Sequence, residues 1–204
     1  MDATSRSQPD QPRGPAPVNG PRDFVAVDDS GAFSYYPSEQ DLVAAFEYVA
    51  EAACILDRSG KSYDLALDRN RHLILGKDHG PVEFHWLLRA LTDAREIHPE
   101  EHRLRRRYPA MLNALVSGLF ETLELSQGYS RAPGPWTFDI AGITVRRSSL
   151  WDVDQRLAAE AQLDGIRVKD PLGHTYRPVR HRRHRFLPDR TGYITYEEMP
   201  AGTR

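Results

Sequence analysis

Between Ala110 and Gln127 apolar residues recur at helical spacing (Met111, Leu112, Leu115, Val116, Leu119, Phe120 and Leu123), and Gly128 follows as a natural left-handed cap. A helix with one such face has to bury it, and the segments on either side offer short runs of β type as partners. Before it, Ile55-Leu56, Tyr63 to Leu67 and His72 to Leu75 are separated by Arg58-Ser59-Gly60-Lys61 and Asp68-Arg69-Asn70, the pattern of a three-stranded antiparallel meander. After it, Trp136 to Ile140 and Ile143 to Val145 form a hairpin across Ala141-Gly142. Ile166 to Val168, the turn Asp170-Pro171-Leu172-Gly173, the run Thr175 to Phe186, and Tyr193 to Tyr196 make the last forty residues β-rich. Helices and strands thus come in clusters, without strict alternation, so the fold class expected is α+β, a single compact domain of meander and hairpins with about four helices.

The other helices are read from caps. Ser38, three residues before Asp41, opens one over 39–53 with Leu42, Val43, Phe46 and Val49 on its apolar face. Gly76-Lys77-Asp78-His79-Gly80 breaks the strand pattern, and Pro81 then suits the first position of a helix carrying Phe84, Leu87, Leu88 and Leu91. A further helix is expected from Pro99, with Glu100 and Glu101 in its first turn and a break at Pro109. Ser149 and Asp152 start one that runs through Leu163 to Gly165.

The chain has 204 residues, enough for one sizeable core. Residues 1–22, rich in Pro, Gly, Ser and Asp and without the apolar stretch of a secretory signal, read as a disordered tail ahead of a domain over 23–204. The Pro- and Gly-rich stretch near 130–135 offers a lobe boundary within that domain. No apolar run approaches the roughly 20 residues of a membrane helix. The single cysteine, Cys54, leaves no internal disulfide framework, and the expected compartment is the cytoplasm. Lysine stands only at 61, 77 and 169 among 27 basic residues, a skew that a GC-rich bacterial genome of actinobacterial type produces by itself. Charge is unevenly spread: residues 1–102 hold 10 basic and 18 acidic side chains, residues 103–204 hold 17 and 11.

Several short motifs resemble functional ones. Gly60-Lys61-Ser62 lacks the earlier glycine of a phosphate-binding loop, since position 55 is Ile, and reads as a hairpin turn. His98-Pro99-Glu100-Glu101-His102 matches His-x-x-Glu-His, but Pro99 favours a helix that begins there and leaves His98 outside it, so a solvated helix start is preferred to zinc. Arg103, Arg105, Arg106 and Arg107 read as a solvated helix face. Cys54, between Ala53 and Ile55, has the apolar setting that raises a thiol pKa.

Two groups remain as candidate sites. His72, His79 and His85 gather titratable groups around the loop at 76–80 and are the candidates for a dispersed catalytic site. Arg177, Arg180, Arg182, Arg183 and Arg185 line a basic ribbon over 176–186 in which neither strand face is apolar, so it is read as an edge or a protrusion suited to anions or nucleic acid. Three functions follow. The leading one is a non-catalytic binding or accessory protein with a protein partner; the others are an enzyme using the histidines and a nucleic-acid-binding regulator using the ribbon. The sequence leaves any cofactor unknown, and neither a metal site nor membrane association is expected.

Overall fold

A computed structural model describes residues 22–107, 110–130, 132, 134–181 and 192–200. The expected tail, apart from Arg22, and the break at Pro109 lie outside the described residues.

The first sheet contains β1 (Phe24–Asp28), β2 (Phe33–Tyr36), β3 (Ala52–Asp57), β4 (Lys61–Leu67) and β5 (Leu73–Pro81), in the order β2-β1-β3-β4-β5 with every neighbour antiparallel. The meander forms as expected, but two strands precede it. β1 is buried at four successive positions, because both faces of the sheet are covered, and it therefore lacks the alternation that marks a strand in sequence. Side chains alternate across the sheet. Val25, Val27, Phe33, Tyr35 and Leu56 pack under α2 (Phe84–Ile97) and α3 (Leu112–Ser126), while Phe24, Ala26, Ile55, Tyr63 and Leu65 pack with Leu42 of α1 (Glu39–Ala44).

Three boundaries differ from the sequence reading, each for a local reason. α1 is capped by Ser38, whose Oγ accepts from the Asp41 N–H at 3.1 Å, yet it ends at Ala44 and not at 53. Beyond it the Glu51 carboxylate takes the N–H groups of Glu47 and Tyr48, at 2.7 and 3.2 Å, and Ala52 to Cys54 pair with β1. β5 runs on through 76–80, where a loop was expected. A Cβ on Gly76 would lie 2.0 Å from Asp64 Oδ1, and the register against β4 shifts nearby, so this glycine marks a bulge and not a break. Pro81 consequently closes β5, and Glu83 caps α2 by accepting from the N–H groups of His85 and Trp86 at 2.8 and 2.5 Å.

The second sheet contains β6 (Leu104–Arg105), β7 (Trp136–Ile140), β8 (Ile143–Arg147), β9 (Val168–Lys169), β10 (Thr175–His181) and β11 (Tyr193–Glu198) in the order β6-β11-β10-β9-β7-β8. β6 runs parallel to β11 and all other pairs are antiparallel. Its core joins Trp136, Phe138, Val168, Tyr176 and Tyr196 to Val153 and Leu157 of α4 (Leu150–Ala158). α3 serves both cores: Leu115, Val116, Leu119, Phe120 and Leu123 face the first, Leu125 the second. Gly128, at φ 77°, closes α3 as its position suggested.

Here too there are corrections. No helix begins at Pro99; 98–102 is a turn in which the Glu101 and His102 N–H groups both donate to the His98 carbonyl, at 3.1 Å, ahead of β6. α4 starts at its Ser149 cap but stops at Ala158. β10 was expected to be an edge or a protrusion because of its arginines. Its start lies inside the sheet, paired with β9 at Thr175 and Tyr176, whereas from Arg177 to His181 it pairs with β11 alone as a two-stranded ribbon, its buried side chains being Tyr176 and Pro178. No helix among the described residues is long and apolar enough to cross a membrane.

Candidate functional site

α3 lies between the two sheets, and one of its flanks stays uncovered. There a cleft of about 310 Å³ runs along the helix, with Ala114, Gly118 and Thr122 forming its floor and Leu91, Leu104, Leu115, Leu119 and Leu123 its apolar sides. A Cβ on Gly118 would meet no atom within 4 Å, so the cleft opens directly above the helix backbone. Thr122 adds no free donor, since its hydroxyl donates to the Gly118 carbonyl at 2.6 Å.

Charged and polar groups reach the cleft from three elements. Arg95 comes from α2, where its Nη1 donates to the Arg106 carbonyl at 3.1 Å. His102 comes from the turn before β6 and is 5 % exposed. Its Nε2 accepts from the Phe33 N–H at 3.4 Å, on the outer edge of β2, and its ring stands edge-on to Phe33 with centroids 6.0 Å apart. Burial, and after it the charges of Arg95 and His98, bring the His102 pKa down to about 4. With Nε2 as acceptor, the neutral ring carries its proton on Nδ1.

The segment after β6 supplies Arg106 and Arg107. Arg106 is buried: its Nε donates to Tyr176 Oη at 3.1 Å, its Nη2 to Asp170 Oδ2 at 3.3 Å, and its Nη1 to Glu121 of α3. The Tyr176 hydroxyl donates to the same Asp170 oxygen at 2.9 Å, and Asp170 Oδ1 takes the N–H groups of Leu172 and His174, both at 2.9 Å. Arg107 is exposed, and its own N–H donates to Glu198 Oε2 at 2.8 Å; the other Glu198 oxygen meets His174 Nδ1 at 2.8 Å. The Arg107 guanidinium makes no hydrogen bond or ion pair among the described residues.

A second arrangement repeats this chemistry outside the cleft. Arg103 pairs with Asp154 of α4, and the buried Tyr196 hydroxyl donates to the other Asp154 oxygen. Burial pushes the Asp154 carboxyl up, against the opposing pull of Tyr196 and Arg103. Both carboxylate oxygens are engaged, which makes the triad a clamp between α4 and the second sheet. Arg103 and Arg106, read from sequence as a solvated helix face, lie instead on an extended segment, Arg106 buried and Arg103 half-buried, each anchoring an Asp–Tyr pair.

The candidates from sequence fall elsewhere. His72 lies just before β5 with Nδ1 3.6 Å from Asp68, and His79 lies within β5 with Nε2 3.3 Å from Asp64. Seven residues of extended chain, at about 3.3 Å each, hold them on the order of 20 Å apart. His85 sits on the first turn of α2 against Phe84, at 5.2 Å between ring centroids. None of the three lines the cleft. In the ribbon, Arg177 pairs with Glu197 at 2.7 Å across β10 and β11, and Arg180 Nη2 caps the end of α4 through the carbonyls of Leu157 and Glu160 at 3.0 and 2.8 Å. Arg182, Arg183 and Arg185 lie outside the described residues. Burial holds the Cys54 thiol near 11, in line with its apolar sequence setting.

Arg107, His102 and Gly118 carry the site and were not singled out in sequence for it. The one available signal was Gly118 itself, a glycine in the interior of an otherwise strong helix, where it costs about 1 kcal/mol relative to alanine. No family model, no curated protein and no solved structure matches this chain.

Proposed function

We propose that this is a non-catalytic binding protein whose guest lies in the cleft along α3. The observation that carries the reading is the open, leucine-walled space above Gly118, about 310 Å³ and so at the lower end of the 300–1,000 Å³ usual for ligand clefts. Apolar walls supply affinity by desolvation, and the few polar groups at the opening fix orientation. The buried Arg–Asp–Tyr groups support a holding role, since their donors and acceptors are paired with one another and keep the walls in place.

Titration with the neutral solvatochromic dye prodan tests this. Saturable one-to-one binding with a blue-shifted emission is expected for the native chain, and its loss is expected for Gly118→Leu, whose side chain would fill the space. Equal binding by both proteins, or none by the native one at the solubility limit of the dye, would overturn the reading.

A further inference from the structure

The binding reading leaves the chemistry of the guest open, and the inference here rests on that reading. Around the cleft stand three arginines, Arg95, Arg106 and Arg107, against two carboxylates, Glu121 and Glu198. Both carboxylates are engaged within the protein. Glu121 is held by Arg106 and by the Ser117 hydroxyl at 3.4 Å, and Glu198 is held by His174 and the Arg107 N–H, each at 2.8 Å. Arg106 is consumed by Glu121, Asp170 and Tyr176. Arg95 is engaged as well, its Nη1 donating to the Arg106 carbonyl at 3.1 Å, which leaves the Arg107 guanidinium, and His102, whose Nε2 is taken by the Phe33 N–H. Both are donors. A guest therefore meets apolar walls and, in Arg107, a cation with no hydrogen bond or ion pair among the described residues, which matches an acceptor bearing negative charge.

The geometry points to a small monocarboxylate as the guest, its apolar body lying over Gly118 between Leu91, Leu104, Leu115 and Leu119 and its carboxylate on Arg107. A guanidinium presents two parallel N–H groups to the two oxygens of a carboxylate, a fit that a lysine could not give. A phosphate ester fits less well, because its three oxygens and greater charge call for more donors than Arg107 and His102 supply. The cleft volume suits an aliphatic or aromatic body of about ten carbons.

Calorimetric titration of the full chain with octanoate and with octanamide separates the terms, since the two differ only in charge and head-group donors. The acid is expected to bind about tenfold to a hundredfold more tightly than the amide. Arg107→Gln is expected to remove most of that margin, weakening the acid about tenfold or more and the amide far less, and Gly118→Leu to abolish binding of both without lowering the melting temperature. Raising salt should weaken the acid alone. If acid and amide bind equally, the carboxylate inference falls while the apolar cleft reading stands. If neither binds and prodan does not bind either, both fall. Retention of the acid's margin in Arg107→Gln would overturn the assignment of the head group. Binding of a peptide ending in Leu-Leu carboxylate more tightly than octanoate, in competition with it, would replace the small acid by a protein terminus and overturn this inference.

Discussion

Acidification should act on this fold through His102. Its Nε2 accepts from Phe33 on the open edge of β2, so protonation both removes that acceptor and puts a charge beside Arg95 in a buried position. The folded pKa near 4 lies below the ordinary histidine value of about 6.5 that the unfolded chain adopts. Below 6.5 the unfolded state then binds more protons than the folded one, and stability falls as pH falls, the loss being complete once pH passes below 4. A shift of that size is worth about 3 kcal/mol in full, with about 2 kcal/mol gone by pH 5. Asp154 acts in the opposite sense: its raised pKa makes its protonation favour the folded state, so the raw pH curve mixes the two. Comparison with His102→Gln isolates the histidine, because a glutamine carbonyl can accept from Phe33 without titrating. Urea unfolding followed by tryptophan fluorescence at pH 7.5, 6, 5 and 4.5 should show the native chain losing about 2 kcal/mol more than the variant between pH 7.5 and 5. Parallel curves for the two proteins would refute the argument and place the histidine in contact with water.

Other substitutions test the packing. Leu115→Ala and Leu119→Ala, at 2 % and 4 % exposure, should each lower the unfolding free energy by about 2–5 kcal/mol in denaturant melts. Arg106→Leu leaves Asp170 buried without its cation and should cost about 3–5 kcal/mol, whereas Arg106→Leu combined with Asp170→Leu should recover part of that loss in a double-mutant cycle. Gly118→Ala should raise stability by about 1 kcal/mol, since a methyl there meets no atom and alanine is the better helix former. A decrease would mean that the space above Gly118 is occupied.

How much of this could be read beforehand depends on how local each cause is. α3 was legible because its stripe and its Gly128 cap lie within one segment, and the β7–β8 hairpin because Ala141 and Gly142 take up the left-handed conformation, at φ 51° and 80°, that a tight turn demands. β1 was not legible, since burial on both faces erases the alternation on which a strand reading depends. The bulge at Gly76 looked like a loop because the cause of the glycine is Asp64, on a neighbouring strand. The arginines of 103–107 misled for a similar reason. A run of charges is ordinarily solvated, and only the distant partners Asp154 and Asp170 hold Arg103 half-buried and Arg106 buried. The cleft is the least local feature of all, drawing on α2, the β6 segment, α3 and Glu198, so nothing near Gly118 in sequence announces it.

The parallel pairing of β6 with β11 also bears on how the chain is assembled. Leu104 and Arg105 sit opposite Tyr196 and Glu197, and the Tyr196 N–H donates to the Arg103 carbonyl at 2.8 Å. Closing a loop of that length carries an entropic cost that grows with the logarithm of its span. A ribosome that has released the first sheet, α2 and α3 has delivered everything their shared core requires, but β6 still has no neighbour, and neither Arg103 nor Arg106 has met its aspartate. The two arginines are early-synthesised charges awaiting late-synthesised partners. The Leu104 side of the cleft therefore waits for β11, made about ninety residues after β6, and the guest site forms only once that strand has arrived.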